Sequence, residues 1–474
     1  MPGLPPRRRC SRACVRALVL ALVAQGLAGA IRGHVFERGK PGFDAVAHVF
    51  NPRFDHVRPS AIARPVDGID VRDAIRFTVA HGVHVRARSG GHSYAGYSTT
   101  SDGVVLDLRK LDSIKFDKSA GTAAIGAGAQ LIDVYSALSK HGVTVPGGSC
   151  PSVGIAGSTL GGGFGLAARH LGLTIDSLLA AKIATADGEL RTVDGHSDPD
   201  LLWGLKGGGG GNFGVVTEFT FKVHPMPTSA TYFEVRWPWS SADEAIAAWQ
   251  RWAPHTSDKL TSILHVNSGG PSIEANGQFA GSSGTLAGLI GPLLGVAGAS
   301  LSTNVEKPYL QIQLLLAGCE GKTVTACHTV GAAAGGTMPR ESFNAKSDYV
   351  AKPLPAAGRA AMIAAAEHPG AGALLCDAYG GAIKQVAPNA TAFVHREPLF
   401  CIQYYGDGAS AGWIGQAHTK LHPFVSGSAY QNYIDPALNH WQHAYYGQNL
   451  QRLETLRKHV DPHHYFNFPQ AIGR

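Results

Sequence analysis

Two dense glycine clusters place the tightest constraint on what this chain can fold into. In the runs Gly161–Gly163 and Gly207–Gly211 no side chain shields the backbone. The chain can therefore turn tightly there, or approach another molecule closely. The first run follows residues 154–160, which we interpret as a loop, whereas a dinucleotide-binding fingerprint must follow a strand. The second run lacks the Gly-Lys-Ser/Thr that ends a phosphate-binding P-loop.

With both nucleotide motifs rejected, the clusters remain as separate glycine-rich loops. Together, such loops can line an extended ligand and bind its phosphates through backbone N–H groups. Each loop taken alone is equally typical of an ordinary turn, so the alternative of plain turn chemistry stays open.

The composition favours a globular protein without a polyanionic partner. Hydrophobic residues make up 44% of the 474 residues and charged residues 16%, which suits two or three domains with buried cores. The net charge of +7 depends mostly on the first thirty residues, which carry no acid. The arginines in that segment are Arg7, Arg8, Arg9, Arg12 and Arg16. We therefore expect no nucleic-acid partner.

Residues 1–30 predict a secretory signal. Arginines precede the apolar stretch Ala17–Ala24, and the small-residue segment Leu27–Ala30 ends it. The stretch is shorter than the ~20 residues that a transmembrane helix needs, so we expect no membrane contact beyond this segment. A disordered N-terminus and a signal anchor remain alternatives. A signal would make the mature protein extracytoplasmic.

The cysteines outside that segment allow a local disulfide, and the sequence leaves the pairing of Cys319, Cys327, Cys376 and Cys401 open. Cys319 and Cys327 are close enough in sequence to pair, or they are two buried thiols. Their spacing is not Cys-x-x-Cys, and we predict no metal site. The other cysteines of the mature chain are Cys150, Cys376 and Cys401.

The pattern of apolar residues divides the remaining chain into three parts. Residues 31–225 alternate short apolar runs with glycine turns, which predicts an α+β domain. Residues 226–429 predict a second domain, a sheet with helices on one face. The tail, residues 430–474, is rich in aromatic residues, Asn and His. The helices predicted are 69–81, 131–141, 242–253 and 356–367, and the strands 83–87, 104–108, 178–185, 219–223, 232–237, 262–266 and 311–316.

Four motifs, in order, resemble those of the berberine bridge enzyme-like branch of the vanillyl-alcohol oxidase and p-cresol methylhydroxylase flavoproteins. Arg88–Gly96 resembles the family's histidine-bearing loop, and Pro146–Gly157 its cysteine-bearing loop. Leu202–Thr217 is similar to the third element. The tail from Asn432 to Asn467 resembles the short C-terminal module that gives the branch its name. The resemblance covers nearly the whole chain after residue 30.

The resemblance implies an α+β fold. It would consist of a two-subdomain FAD-binding domain of the p-cresol methylhydroxylase type, a substrate domain with an antiparallel sheet covered by helices, and a C-terminal module completing the FAD domain. It also implies FAD linked covalently twice, by His92 to the 8α-methyl and by Cys150 to C6. The other cofactor contacts implied are Arg88, Ser89, Gly90, Gly91, Ser93, Gly148, Val153, Gly154, Gly157, Gly161, Gly214, Val216, Phe466 and Asn467.

The activity implied is hydride transfer from an alcohol or sugar hemiacetal carbon to the flavin. The base would be Tyr430 or Tyr433, and the motif does not choose between them. Asp377, Tyr379 and Gln403 lie in segments that resemble the family's substrate-facing strands, and they are further candidate catalytic residues. Val153 occupies a loop position at which a small residue resembles the oxygen-permissive form of related enzymes. The resemblance therefore favours reoxidation of the flavin by O2 to give H2O2.

The motifs leave alternatives to an oxidase open. The enzyme could be a dehydrogenase with another acceptor, or an oxidative cyclase of secondary metabolism. A protein of another class, which retains flavin for binding or defence without turnover, would share the same motifs. We expect a monomer whose partners are a small carbohydrate or alcohol and O2.

Overall fold

A computed structural model describes residues 23–331 and 334–474. The strands are β1 His34–Glu37, β2 Ala61–Arg64, β3 Val85–Arg88, β4 Val104–Asp107, β5 Ile114–Asp117, β6 Thr122–Gly126, β7 Val143–Thr144, β8 Leu178–Ala184, β9 Leu190–Asp194, β10 Val215–Lys222, β11 His224–Pro225, β12 Ser229–Trp237, β13 Leu260–Asn267, β14 Ser272–Phe279, β15 Ser300–Pro308, β16 Phe343–Val350, β17 Gly372–Ala378 and β18 Phe400–Asp407. The helices are α1 23–30, α2 Phe43–Ala47, α3 Gly68–Ala80, α4 Leu131–Ser139, α5 Ile155–Leu160, α6 Ala168–Leu171, α7 Pro199–Leu205, α8 Ala242–Trp252, α9 Ser283–Leu289, α10 Gly291–Leu294, α11 Tyr309–Leu316, α12 Ala356–Glu367, α13 Ala411–Leu421, α14 Trp441–Tyr446 and α15 Leu450–Val460.

Two small sheets and the two-stranded pair β7-β11 form the N-terminal half. The first has the order β1-β2-β4-β3, with β4 parallel to both β2 and β3. Helix α3 lies between β2 and β3 in sequence, as a parallel connection requires. The Asp67 side chain caps its first turn by accepting a bond from the Asp70 N–H at 3.0 Å. The second sheet is antiparallel, with the order β5-β6-β10-β8-β9.

A seven-stranded antiparallel sheet forms the other half, in the order β15-β12-β14-β13-β17-β18-β16. Side chains alternate between its faces. Leu374 and Cys376 of β17 and Tyr404 of β18 are buried in one core with α8, α12 and α13. Their neighbours along the strands therefore face the opposite way, toward the N-terminal half.

The tail packs onto the N-terminal half through the second glycine cluster. Tyr446 Oη donates to the Gly208 carbonyl at 3.1 Å, and the Ile472 N–H donates to Asn212 Oδ1 at 2.9 Å. Arg457 and Asp461 form an ion pair of 3.0 Å between two fully buried side chains. These contacts make the C-terminal residues part of the same body as the loops at 207–211.

The structure corrects two predictions of secondary structure. Residues 311–316 are helical, within α11, and not a strand. The alternation in Gln311–Leu314 suggested a strand, but Ile312 and the residues one turn away pack on neighbouring elements, and so short a run fits either periodicity. Residues 155–160 form α5 and are not a loop. A helix still precedes the first glycine cluster where a fingerprint would need a strand.

Two other sequence features have direct structural outcomes. Cys319 and Cys327 form a disulfide, which decides between the two alternatives left open. Of the predicted signal, residues 1–22 lie outside the described residues, whereas 23–30 form α1, with Val23, Ala24 and Leu27 buried in the core. Removing this helix would expose the apolar surface that it covers. In the part of the chain that the structure describes, no helix is long and apolar enough to cross a membrane.

Candidate active site

One large cavity, of about 550 Å³, lies between the N-terminal half, the seven-stranded sheet and the tail. Its volume is within the ~300–1,000 Å³ typical of small-molecule sites. Most of the residues predicted from the sequence line it. They are Ser89, Gly90, Gly91, His92, Ser93, Gly148, Cys150, Val153, Gly154, Gly157, Gly214, Val216, Asp377, Gln403, Tyr430, Tyr433 and Phe466.

His92 lies in the loop that follows β3. Its ring stacks on Phe50, with centroids 3.9 Å apart, and its Nε2 is 2.9 Å from Ser152 Oγ. Nδ1 has no hydrogen-bond partner among the described residues. Burial lowers the pKa of His92 to about 3, so the imidazole is neutral at ordinary pH. A fixed, neutral imidazole with one free ring nitrogen can act as a nucleophile or a ligand.

Cys150 lies in the second loop, which is fixed to the start of α4. The Leu131 and Ile132 N–H groups donate to the carbonyls of Val153 and Pro151 at 3.0 and 3.1 Å. The Cys150 thiol is free and exposed to the cavity. Desolvation by the surrounding protein, followed by the Glu341 carboxylate, raises its pKa. The thiol is therefore protonated at neutral pH before anything binds.

The two loops pack against each other so closely that only glycine fits. A Cβ on Gly90 would lie 2.3 Å from the Gly154 backbone nitrogen, and one on Gly154 would lie 2.0 Å from Ser89 Oγ. This contact brings the His92 and Cys150 loops to the same wall. Gly157 differs, because a Cβ there would meet no protein atom within 4 Å and would project into the cavity.

Several buried polar atoms at the cavity lack a partner in the protein. Tyr97 Oη, Ser98 Oγ and Gln431 Oε1 belong to lining residues and make no hydrogen bond. Leaving such atoms unpaired costs ~1–3 kcal/mol each. A large polar ligand in this cavity would remove that cost.

Tyr433 and Asp377 form a hydrogen-bonded pair on the cavity wall. Tyr433 Oη donates to Asp377 Oδ2 at 3.0 Å. Burial raises the pKa of Asp377 to about 7, although the bond from Tyr433 opposes the rise. Burial, followed by the Asp377 charge, raises the pKa of Tyr433 well above its usual value. The carboxyl group therefore titrates near neutrality, and the phenol stays protonated.

The hydroxyl group of Tyr430 has different hydrogen-bond partners from that of Tyr433. Its oxygen accepts bonds from the Gly163 and Phe164 N–H groups at 3.0 and 3.1 Å, and from Asn432 Nδ2 at 3.1 Å. Burial raises its pKa to about 12, and these three donors oppose the rise. The three donors fix Tyr430 between the first glycine cluster and the tail, and they already occupy the acceptor positions of its oxygen, so a substrate hydroxyl has no open position there.

The cavity includes residues that sequence reasoning missed. Gln403 Nε2 donates to Tyr94 Oη at 2.9 Å, and Tyr94 stacks on Tyr433 with centroids 5.5 Å apart. The feature of the sequence that could have identified Tyr94 as a site residue is its position two residues after His92. Others on the wall carry no local motif and are Ile263, His265, Glu341, Phe343, Leu375 and Tyr405.

Four predicted site residues do not line the cavity. Arg88 is buried behind the His92 loop and forms an ion pair with Asp107 at 3.2 Å. A Cβ on Gly161 would lie 2.0 Å from Asn432 Oδ1, so this glycine accommodates the tail. Tyr379 follows the end of β17 and lies against Phe164 and Tyr349. The Asn467 carbonyl accepts a bond from Arg86.

Two protein families match the parts of the chain that carry His92, Cys150 and the tail tyrosines. The FAD binding domain family matches residues 59–194, and the "berberine and berberine like" family matches residues 429–473. An uncharacterized FAD-linked oxidoreductase of Bacillus subtilis is 33% identical, over 93% of this chain and 97% of its own. Berberine bridge enzyme-like Cyn d 4 of Cynodon dactylon is 30% identical over 88% and 84%. A xylooligosaccharide oxidase of Thermothelomyces thermophilus is 29% identical over 90% and 89%.

Solved structures agree with these relatives. Wild-type BBE-like 1 of Physcomitrella patens superposes with a TM-score of 0.88 at 31% identity, covering 95% of this chain and 98% of its own. A glucooligosaccharide oxidase of Acremonium strictum, described as having 6-S-cysteinyl, 8α-N1-histidyl FAD, gives a TM-score of 0.86 at 25% identity, over 95% and 98%.

The fold and the cavity together define a flavoprotein enzyme, an FAD-linked oxidoreductase. More particularly, the chain belongs to the berberine bridge enzyme-like family. The α+β fold expected from the resemblance is confirmed.

The cavity fits FAD on its own chemistry. The bare backbone at Gly157 leaves room for a flat ring or a pyrophosphate, and Tyr97, Ser98 and Gln431 offer unpaired polar atoms. We expect Gly157→Leu to lower the flavin content of the purified protein, because the new side chain would occupy the cofactor's space. The ratio of flavin to protein absorbance measures it.

Gly288→Leu is the matched control for this change. A Cβ on Gly288 would also meet no atom within 4 Å, and this glycine lies in α9, away from the cavity. The substitution should leave the flavin content unchanged. Full flavin content in Gly157→Leu would show that FAD does not pass this point.

Proposed function

We propose that this protein is a secreted oxidase that removes a hydride from a CH–OH carbon of a sugar or alcohol. FAD linked to both His92 and Cys150 would accept the hydride, and O2 would reoxidise the flavin to give H2O2. The observation that carries the proposal is the Tyr433–Asp377 pair, which opens on the same cavity as His92 and Cys150. A binding protein without turnover would have no need of a buried proton-accepting pair beside its cofactor.

The proton path follows from that pair. FAD, when bound, supplies the hydride acceptor. The substrate hydroxyl would bond to Tyr433 Oη, and its proton would move to that oxygen as the Tyr433 proton moves to Asp377. Asp377 is fixed by its place in β17, whose alternation points it into the cavity. Tyr94 stacks on the ring of Tyr433, and Gln403 Nε2 fixes Tyr94 by donating to its Oη. Tyr430 would position the first glycine cluster and not act as the base.

The covalent links are supported by the two loops. The bond between His92 Nε2 and Ser152 leaves Nδ1 available, and the stacking on Phe50 fixes the ring plane. The Cys150 thiol is free and faces the cavity from the neighbouring loop. The described linkage of the Acremonium relative, through a cysteine and a histidine N1, uses the same two residue types.

The substrate would lie against the seven-stranded sheet, and we assign substrate binding to residues 226–429. His265, Glu341 and Tyr405 give this wall polar groups at several positions, as a polyhydroxylated molecule requires. The names of several relatives as oligosaccharide oxidases support a carbohydrate. The disulfide Cys319–Cys327 favours an oxidising compartment, which supports secretion. We expect the protein to act as a monomer.

A peroxide-release screen over oligosaccharides and aromatic alcohols tests the proposal. We expect at least one class to bleach the flavin anaerobically, and air to restore the colour with one H2O2 per substrate oxidised. If the reduced flavin persists in air but reacts rapidly with a quinone or dye, the protein is a dehydrogenase. If no class bleaches the flavin, the proposed turnover is wrong.

The pH dependence should report Asp377. Because burial raises its pKa to about 7, the carboxylate that accepts the Tyr433 proton is lost as the pH falls through 7. We expect kcat/KM to fall about tenfold per pH unit below that point. Asp377→Asn should be slow and should lack this acid limb. An unchanged acid limb in Asp377→Asn would assign the titration to another group.

A further inference from the structure

A second site lies on the helical side of the seven-stranded sheet, away from the flavin cavity. Asp348 of β16, His418 of α13 and His422, the first residue after that helix, each place one ligand atom within 4.8 Å of the others. Within residues 23–331 and 334–474 this is the one group of three or more His, Cys, Asp or Glu residues arranged in this way. The cysteine spacing predicted no metal site, but it carries no information about histidines and a carboxylate brought together by the fold.

The local structure brings the two imidazoles to one face. His422 continues the helical backbone, with φ −50° and ψ −37°, and its N–H donates to the His418 carbonyl. Residues four apart on a helix lie one turn above each other, so both rings point the same way. Their centroids are 5.6 Å apart.

Asp348 supplies an oriented carboxylate beneath these rings. Its Oδ2 accepts a bond from Tyr404 Oη at 3.0 Å and lies 3.2 Å from His418 Nε2. Two ligands of a tetrahedral zinc ion, each at ~2.0–2.2 Å from the metal, are ~3.4 Å apart. The Asp348–His418 separation therefore already fits one ion. The bond from Tyr404 is the kind of outer contact that holds a ligating carboxylate in place.

The burial of the three side chains also suits a bound cation. The Asp348 side chain is 3% exposed and that of His418 18%, whereas His422 is exposed, so the site has a buried floor and an open entrance. Lys346, on the same strand as Asp348, forms an ion pair with Asp435.

We propose that Asp348, His418 and His422 bind a divalent transition-metal ion of the zinc type, with water completing its coordination. Two imidazoles and a carboxylate are ligands that such ions accept. The ion would fasten α13 to β16. On the other face of β16, Ser347 Oγ accepts a bond from the Tyr430 N–H at 2.9 Å, so the strand that the ion braces also holds the tail. The role is structural and separate from the flavin chemistry.

Equilibrium dialysis of the untagged, EDTA-treated holoprotein against Zn²⁺, with elemental analysis of the retained metal, tests the site. We expect one high-affinity Zn²⁺ per chain, a rise in Tm on binding, and a loss of at least tenfold in affinity in His422→Ala. His422 is exposed, so this variant should fold, and its flavin spectrum verifies that it does. His418→Ala should weaken binding in the same way.

His459→Ala is the matched control. His459 is also an exposed histidine on a helix, α15, and lies outside the group. The chain has 22 histidines, so weak binding elsewhere is expected. The proposal therefore depends on the difference between the two variants. Absence of a high-affinity Zn²⁺, or equal binding by wild type, His422→Ala and His459→Ala, would overturn it.

Discussion

Replacing Tyr433 by phenylalanine is expected to lower the rate of anaerobic flavin reduction by about 10²–10⁴-fold, the usual contribution of a positioned general base. The variant keeps the ring that stacks on Tyr94 but loses the oxygen that donates to Asp377. The flavin should stay bound, because neither His92 nor Cys150 is altered. Stopped-flow absorbance at saturating substrate measures the rate of the chemical step directly.

Two other tyrosines serve as comparisons. Tyr379→Phe removes a buried hydroxyl that lies 3.0 Å from Tyr349 Oη, outside the cavity, and should change the rate only a few-fold. Tyr430→Phe removes the acceptor of three hydrogen bonds and should chiefly alter stability and flavin content. If Tyr430→Phe abolished flavin reduction while Tyr433→Phe remained fast, the roles assigned to the two residues would be reversed.

The second large effect concerns the cofactor. In the double variant His92→Ala, Cys150→Ala, we expect the flavin to pass entirely into the supernatant when the protein is denatured and precipitated. Each single variant should keep a coloured pellet, because one link remains. The wild-type pellet should be yellow as well.

Cys376→Ala controls for the general effect of losing a thiol. Cys376 is free and buried, but it lies in the core on the helical face of β17. Its pellet should be as yellow as that of the wild type. Release of flavin from either single variant, His92→Ala or Cys150→Ala, would contradict attachment at two points.

The sequence predicted the parts of the site that local motifs encode. His92 and Cys150 each lie in a loop whose glycines allow the two loops to touch, and both residues line the cavity as expected. Tyr433 and Asp377 were named, but their pairing was not, because 56 residues separate them and only the register of β17 against its neighbours brings them together. Gln403 was named and Tyr94 lies in the histidine-bearing loop, but their hydrogen bond joins residues 309 apart in sequence, which no local motif encodes.

The predictions that the structure corrects also failed for local reasons. Tyr379 shares the side-chain parity of Asp377, but β17 ends at Ala378, so Tyr379 passes beyond the cavity and packs on Phe164. Residues 311–316 have a pattern that suits either a strand or a helix, and packing against α4 favours the helix. The glycines at 161 and 157 look alike in sequence, yet one accommodates the tail and the other opens on the cofactor's space. The sequence pattern does not indicate which residue of the folded protein packs against a glycine.

The central claim, that one FAD is linked to both His92 and Cys150, is tested most directly by mass spectrometry of a tryptic digest. Cleavage after Arg88 and Arg109 releases residues 89–109, which contain His92, and cleavage after Lys140 and Arg169 releases residues 141–169, which contain Cys150. We predict that these two peptides are found joined through a single FAD, with flavin absorbance. Recovery of both peptides unmodified, with free FAD in solution, would contradict the account.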